Sequence, residues 1–231
     1  MRFALITSAV SRPHGTYPRV HSRLRPDHGC QGWAPAFSKT VRHELGHLPF
    51  IAEDLGLITP DVQVLRDQFQ LPGTRVLQFA FDGHSDNPYL PHNFVPNAVA
   101  YIGTHDNAPT REWYEELPDY KRQNFWSYLK RAPGVSDEAA LALVHLAWSS
   151  KAALAIAPLQ DLLDLGADSR MNVPGRAGGN WGWRCPEEML SLPAFQWLEE
   201  LTVRSKRSGP AIPPLLMLEC TDLNQTPPFQ V

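Results

Sequence analysis

Apolar positions along this chain alternate between two rhythms. Phe37, Val41 and Leu45 recur four apart, which predicts a helix over 36–45, ended by Gly46 and Pro49. The run Phe50-Ile51-Ala52 predicts a short buried strand, and Val62, Leu65 and Phe69 predict a helix over 61–69. Pro72-Gly73 reads as a turn into a second apolar run, Arg75–Phe81. A polar loop from Asp82 to Pro96 leads to a third strand, Val99–Ile102. Helices are predicted over 110–116, 120–130 and 138–149, then a strand over 154–157 and a helix over 159–165. Strand and helix alternating at these intervals predict parallel βα units and an α/β fold with additional helices.

Two of the strands end on chemistry. Ile51-Ala52 runs into Glu53-Asp54 and then Gly56, and Tyr101-Ile102 runs into Gly103-Thr104-His105-Asp106-Asn107. The carboxyl ends of parallel strands are where a β/α barrel keeps its reactive groups. Either acid also has a purely local reading, as a helix cap or as turn chemistry. Trp126 and Trp148 fall within helical patterns and read as core, whereas Trp181 and Trp183 sit in the glycine-rich loop GGNWGW.

Composition narrows the class. The 231 residues are 43% hydrophobic and 19% charged, a balance typical of globular chains, with enough length for one or two domains. A net charge of −3 gives no reason to expect nucleic acid or an anionic membrane as partner, and no apolar run approaches a membrane span of about 18 residues. Cys30, Cys185 and Cys220 are odd in number and widely spaced, which argues against a disulfide or zinc framework and fits a cytoplasmic location. Residues 1–26 hold five arginines and no acid, the bias of a transit peptide, but Pro13, Pro18 and Pro26 would break its helix.

His43-Glu44-Leu45-Gly46-His47 spells HExxH, the zinc signature with a glutamate base. It lacks the extended third-ligand sequel, and Pro49 ends the helix directly after His47. The zinc-hydrolase reading is therefore set aside, and no metal or cofactor is expected.

Taken together, the blocks LPFIAEDLGLITPDV, LPGTRVLQFAFD, NPYLPHN, YIGTHDN, APLQDLLDLG and SRMNVPGRAGGNWGWR resemble the C-terminal part of the 4-alpha-glucanotransferases (amylomaltases). They stand in family order over about residues 32–207. The resemblance implies a partial (β/α)8 TIM-type barrel made of about the last four βα units. Residues 1–31 and 208–231 match nothing in the family, have no periodicity and are expected to pack poorly. A truncated or frame-shifted reading of a longer gene would give such ends.

The activity implied is transfer of α-1,4-glucan segments between maltooligosaccharides with retention of configuration and no cofactor. Retaining chemistry needs a nucleophilic carboxylate and an acid/base carboxyl about 5–5.5 Å apart. By resemblance Glu53 is the acid/base, a task that calls for a raised pKa. Asp106 is the third catalytic carboxylate, and His105, Asp82 and Asn172 contact the sugar. Asp54 reads as structural, satisfying backbone donors of the turn that follows it.

The family's nucleophile, an aspartate before histidine on the preceding strand, has no clear counterpart. Asp27-His28 follows Pro26 rather than an apolar strand and stands close before Glu53. The chain is therefore expected to be inactive alone. The alternative reading is a non-catalytic remnant that binds glucan weakly, and the open barrel edges are expected to favour self-association. After dialysis the protein should carry no stoichiometric zinc by elemental analysis. One zinc per chain, lost in His43→Ala, would restore the HExxH reading.

Overall fold

The computed structural model of the chain describes residues 4–7 and 33–208, apart from 47, 49, 57 and 191. Five parallel strands form one sheet in sequence order: β1 (Ala4–Thr7), β2 (Phe50–Glu53), β3 (Gly73–Val76), β4 (Ala98–Tyr101) and β5 (Leu154–Ile156). The helices are α1 (Trp33–Leu45), α2 (Pro60–Gln68), α3 (Thr110–Glu116), α4 (Asp119–Tyr128), α5 (Ser136–Ser149), α6 (Leu159–Leu162) and α7 (Leu192–Arg204). Parallel neighbours must be joined by a crossover, and α2 supplies it between β2 and β3, α3 to α5 between β4 and β5.

Four of the strands overlap those predicted. The fifth, β1, comes from the apolar run Ala4-Leu5-Ile6, in a segment expected to stand apart from the fold. A strand edge presents a row of donors and acceptors that an extended segment can satisfy. β1 does so along all of β2, from Ala4 opposite Phe50 to Thr7 opposite Glu53. Asp27 lies outside the described residues.

Two further differences have local causes. The second strand stops at Val76 instead of continuing to Phe81, and Leu77–Phe79 form a 3-10 turn. Here the Gln78 amide donates to the Ile102 carbonyl at 3.2 Å, which draws the chain across the end of β4. Helix α7 is absent from the pattern reading. It has a proline in its first turn and docks through Leu201, which is buried, and through Trp197 and Leu198.

The core lies between the sheet and α3 to α5. Ala98, Val99 and Ala100 are buried on both faces of the sheet, as a central parallel strand requires. Phe125 and Trp126 of α4 pack against Phe81 and Tyr114, the Phe81–Phe125 and Phe125–Trp126 pairs meeting edge to face. The Trp126 indole keeps a partner by donating to the Tyr114 hydroxyl at 2.7 Å, and that hydroxyl donates to the Gly134 carbonyl at 2.9 Å. Prolines punctuate the helices: Pro60 opens α2, and Pro109, Pro118 and Pro158 precede α3, α4 and α6. The C-terminal end of α5 is closed by Arg207, whose guanidinium donates to the carbonyls of Ala147, Trp148, Ser150 and Ala152. No helix among the described residues is long and apolar enough to cross a membrane.

β2 and β3 share a single residue pair, Ala52 with Gly73. Side chains complete the junction. Asp54, buried, accepts the Thr74 amide at 2.6 Å, Arg66 Nη1 at 2.5 Å and Arg75 Nη1 at 3.0 Å. Asp54 is thus structural as expected, but its partners come from α2 and β3 rather than from the turn that follows it. Gly73 is what lets the carboxylate in, because a Cβ there would stand 2.7 Å from Asp54 Oδ2. Asp54→Ala would remove the carboxylate that two largely buried guanidinium groups share, leaving Arg66 with Asp67 and Arg75 with the Thr74 carbonyl. It is expected to lower unfolding free energy by roughly 3 kcal/mol, the low end for breaking a buried pair, because both arginines keep some solvent and a second partner. Urea denaturation of the variant beside wild type measures it.

Candidate functional site

Because the strands are parallel, β2, β3, β4 and β5 end on the same side of the sheet, and a cleft of about 1060 Å³ opens there. The end of β2 contributes Glu53, β4 contributes Tyr101, and the loop from Gly103 to Pro109 contributes His105 and Asp106. Phe79, Tyr89, Ile156 and Met171 form apolar walls, the mixture expected of a pocket with few convergent polar groups. Glu53 is half-buried at the last position of β2, two strands from Tyr101. Burial pushes the Tyr101 phenol up, and the negative charge of Glu53 pushes it the same way, which places the two groups in one electrostatic neighbourhood.

Asp106 and His105 sit in the loop after β4, and about half of each side chain is exposed. His105 Nε2 lies 3.3 Å from Asp106 Oδ1, and Asn172 Nδ2 donates to the same oxygen at 2.5 Å. The loop is folded on itself: the Asn107 carbonyl oxygen of the side chain accepts both the amide and the hydroxyl of Thr104, at 2.9 and 2.8 Å. The structure thus gathers Glu53, His105 and Asp106 into one cleft, with Asn172 at its rim through Asp106.

Asp82 is placed elsewhere. It sits in a shallow neighbouring depression that shares Phe79 and Tyr89 with the cleft. Desolvation pushes its carboxyl up, but the His84 amide at 3.0 Å and Asn87 Nδ2 at 2.9 Å outweigh that and hold it below the usual carboxylate range. His43 and Glu44 of the HExxH motif are exposed on α1 and pair with one another at 3.1 Å, while His47 lies outside the described residues. Groups of three or more His, Cys, Asp or Glu arranged to hold a metal are absent among the described residues.

Trp126 and Trp148 are buried, as their helical positions predict, whereas Trp181 is half exposed. Its backbone takes a positive φ of 62°, its amide donates to the Met171 carbonyl at 2.6 Å, and its ring centroid stands 5.1 Å from that of His105.

Beneath the loop lies a polar layer that pattern reading did not single out. Gln78 Nε2 donates to the Ala108 carbonyl at 3.0 Å, and Asp161 Oδ1 accepts the Thr110 amide at 2.7 Å. Both side chains are buried, so these bonds fix where the loop re-enters α3. An acid inside the apolar run Pro158-Leu159-Gln160-Asp161-Leu162-Leu163 was the available signal. Arg170 and Glu112, ion-paired at 3.3 Å, were likewise missed, because 58 residues separate them in sequence.

Parallel strands in sequence order with helices between them define the class, an α/β fold of barrel type. The comparisons define the family. The family model described as 4-alpha-glucanotransferase matches residues 28–190, so the chain belongs to the 4-alpha-glucanotransferase family. It is 48% identical over 165 residues to the 4-alpha-glucanotransferase of Synechocystis sp., a match covering 69% of this chain and 32% of the relative. It is 47% identical over 150 residues to that of Thermus thermophilus, covering 62% of this chain and 30% of the relative. Among solved structures it resembles the amylomaltase of Streptococcus agalactiae in complex with acarbose. That match has a TM-score of 0.71 and 34% identity, and covers 76% of this chain and 35% of the other. The chain spans about a third of the length of these relatives.

Asp161 makes stability depend on pH. Burial raises its carboxyl to about 6, with the Thr110 donors opposing and nearby Asp164 adding to the rise. The folded chain therefore binds this proton more tightly than the unfolded chain, and stability falls as pH rises from about 4 to about 6. The loss is on the order of 2–3 kcal/mol. Asp161→Asn should flatten that part of the profile in chemical denaturation at a series of pH values.

Proposed function

We propose that this chain is the glucan-binding, acid/base half of a 4-alpha-glucanotransferase site and that it does not transfer glucan alone. The observation carrying this is the convergence of Glu53, His105 and Asp106 in one apolar-walled cleft at the carboxyl ends of β2 and β4. An α-1,4-glucan has apolar ring faces and polar hydroxyl edges. Phe79 and Tyr89 suit the first, and Asp106, His105 and Asn172 suit the second.

Glu53 has the position for general acid/base work. It stands at a strand end, half-buried, with the cleft before it. As the acid it protonates the departing glycosidic oxygen, and as the base it then takes a proton from the acceptor hydroxyl. Asp106 accepts sugar hydroxyls and stabilises the positive charge that develops at the anomeric carbon.

Retention requires a further carboxylate for the covalent intermediate. The resemblance puts that group on the strand preceding β2. In this chain β1 pairs along that edge, and the residue opposite Glu53 is Thr7. Among the described residues lining the cleft, the carboxylates are Glu53 and Asp106. A site lacking one member of its catalytic unit loses many powers of ten in rate.

The test has two measurements. Acarbose or maltotriose should bind in calorimetry, and binding should weaken in Asp106→Ala. Incubation with maltotriose should yield neither glucose nor longer oligosaccharides. Robust transfer by wild type that vanishes in Glu53→Gln would overturn the second half of the proposal and direct attention to Asp27.

A further inference from the structure

We propose that Arg170 is a positioning residue that holds the Asp106–Asn172 pair in register over the cleft. Asp106 and Asn172 come from loops 66 residues apart in sequence, yet their side chains meet at 2.5 Å. Half-exposed side chains do not hold such a contact unaided, because water competes for each partner and each loses rotamer freedom by staying. Their backbones must be fixed relative to one another.

One guanidinium reaches both. Arg170 Nε donates to the Asn172 carbonyl at 3.2 Å, and Nη2 points at the Asp106 carbonyl at 3.4 Å, the long end of the range. Nη1 is anchored on Glu112 Oε1 at 3.3 Å, with both side chains mostly buried. Glu112 lies in the first turn of α3, the helix seated by Asp161 and Thr110. The planar fork therefore ties both loops to one rigid element.

Lysine keeps the charge but lacks the planar fork of donors with which Arg170 reaches three acceptors at once. That distinction separates positioning from a general electrostatic contribution. The inference rests on the proposed glucan-binding role of Asp106 only for its second readout.

The experiment uses the full chain, ¹⁵N-labelled. In wild type one proton of the Asn172 side-chain amide should resonate downfield of ordinary asparagine, the resonance being assigned by its disappearance in Asn172→Asp. In Arg170→Lys, and independently in Glu112→Gln, it should return to the ordinary range. Arg122→Ala, which breaks an exposed pair with Asp119, should leave it unmoved. Acarbose affinity should fall roughly tenfold in Arg170→Lys, and adding that change to Asp106→Ala should cost nothing further.

An Asn172 signal unchanged by both Arg170→Lys and Glu112→Gln would overturn the proposal. So would losses that multiply in the double variant, since they would show Arg170 acting apart from Asp106. Absence of acarbose binding by wild type would instead overturn the glucan-binding reading, and the amide signal would still decide the positioning role.

Discussion

The arrangement of the cleft depends on one carboxylate that never faces it. The β2–β3 ladder is a single residue pair, far less than the four pairs joining β3 to β4. Without more, β2 could tilt against the rest of the sheet, and Glu53 at its end would move with it. Asp54 removes that freedom by taking a backbone amide of β3 and two guanidinium groups from α2 and β3. The adjacent acids Glu53 and Asp54 thus divide their tasks. The strand ends at Glu53, which reaches the cleft, and the chain turns at Asp54, whose amide donates back to the Ala52 carbonyl at 3.1 Å while its side chain enters the junction.

The Asp106 side of the cleft is held differently. No strand pairing fixes the loop after β4. It is secured by Asn107 within itself, by Gln78 at Ala108 and by Asp161 at the start of α3. Polar anchors suit a loop that must be both exposed and well placed. An apolar anchor would have to be buried, and the loop with it. Its cost is visible in Asp161, kept in surroundings that resist its charge.

Much of this was legible in the sequence. Continuous apolar runs ending on acids marked β2 and β4 together with Glu53 and Asp106, since period and punctuation are local signals. The limits of β3 were not legible, because Val76 to Phe81 is apolar but for Gln78, and the bond from the Gln78 amide to Ile102 turns it. β1 lies in a segment with no periodicity that was expected to pack poorly, its pairing being a property of the edge it meets and not of its own pattern. Arg170 was hidden for the same reason: the SRMN block names it, but its acceptors lie on two other segments. Asp82 could be placed by resemblance near sugar, yet its side chain is occupied with His84 and Asn87 in a separate depression.

Arg207 does more than close the end of α5. Its side chain is occupied by four carbonyls at the end of α5. A trypsin-like protease must swallow that guanidinium in its own specificity pocket before it can cut the following bond. Cleavage after Arg207 must therefore wait for the end of α5 to open, so its rate reports local opening rather than simple accessibility. The residue that closes the helix also works as a lock on the peptide bond beside it.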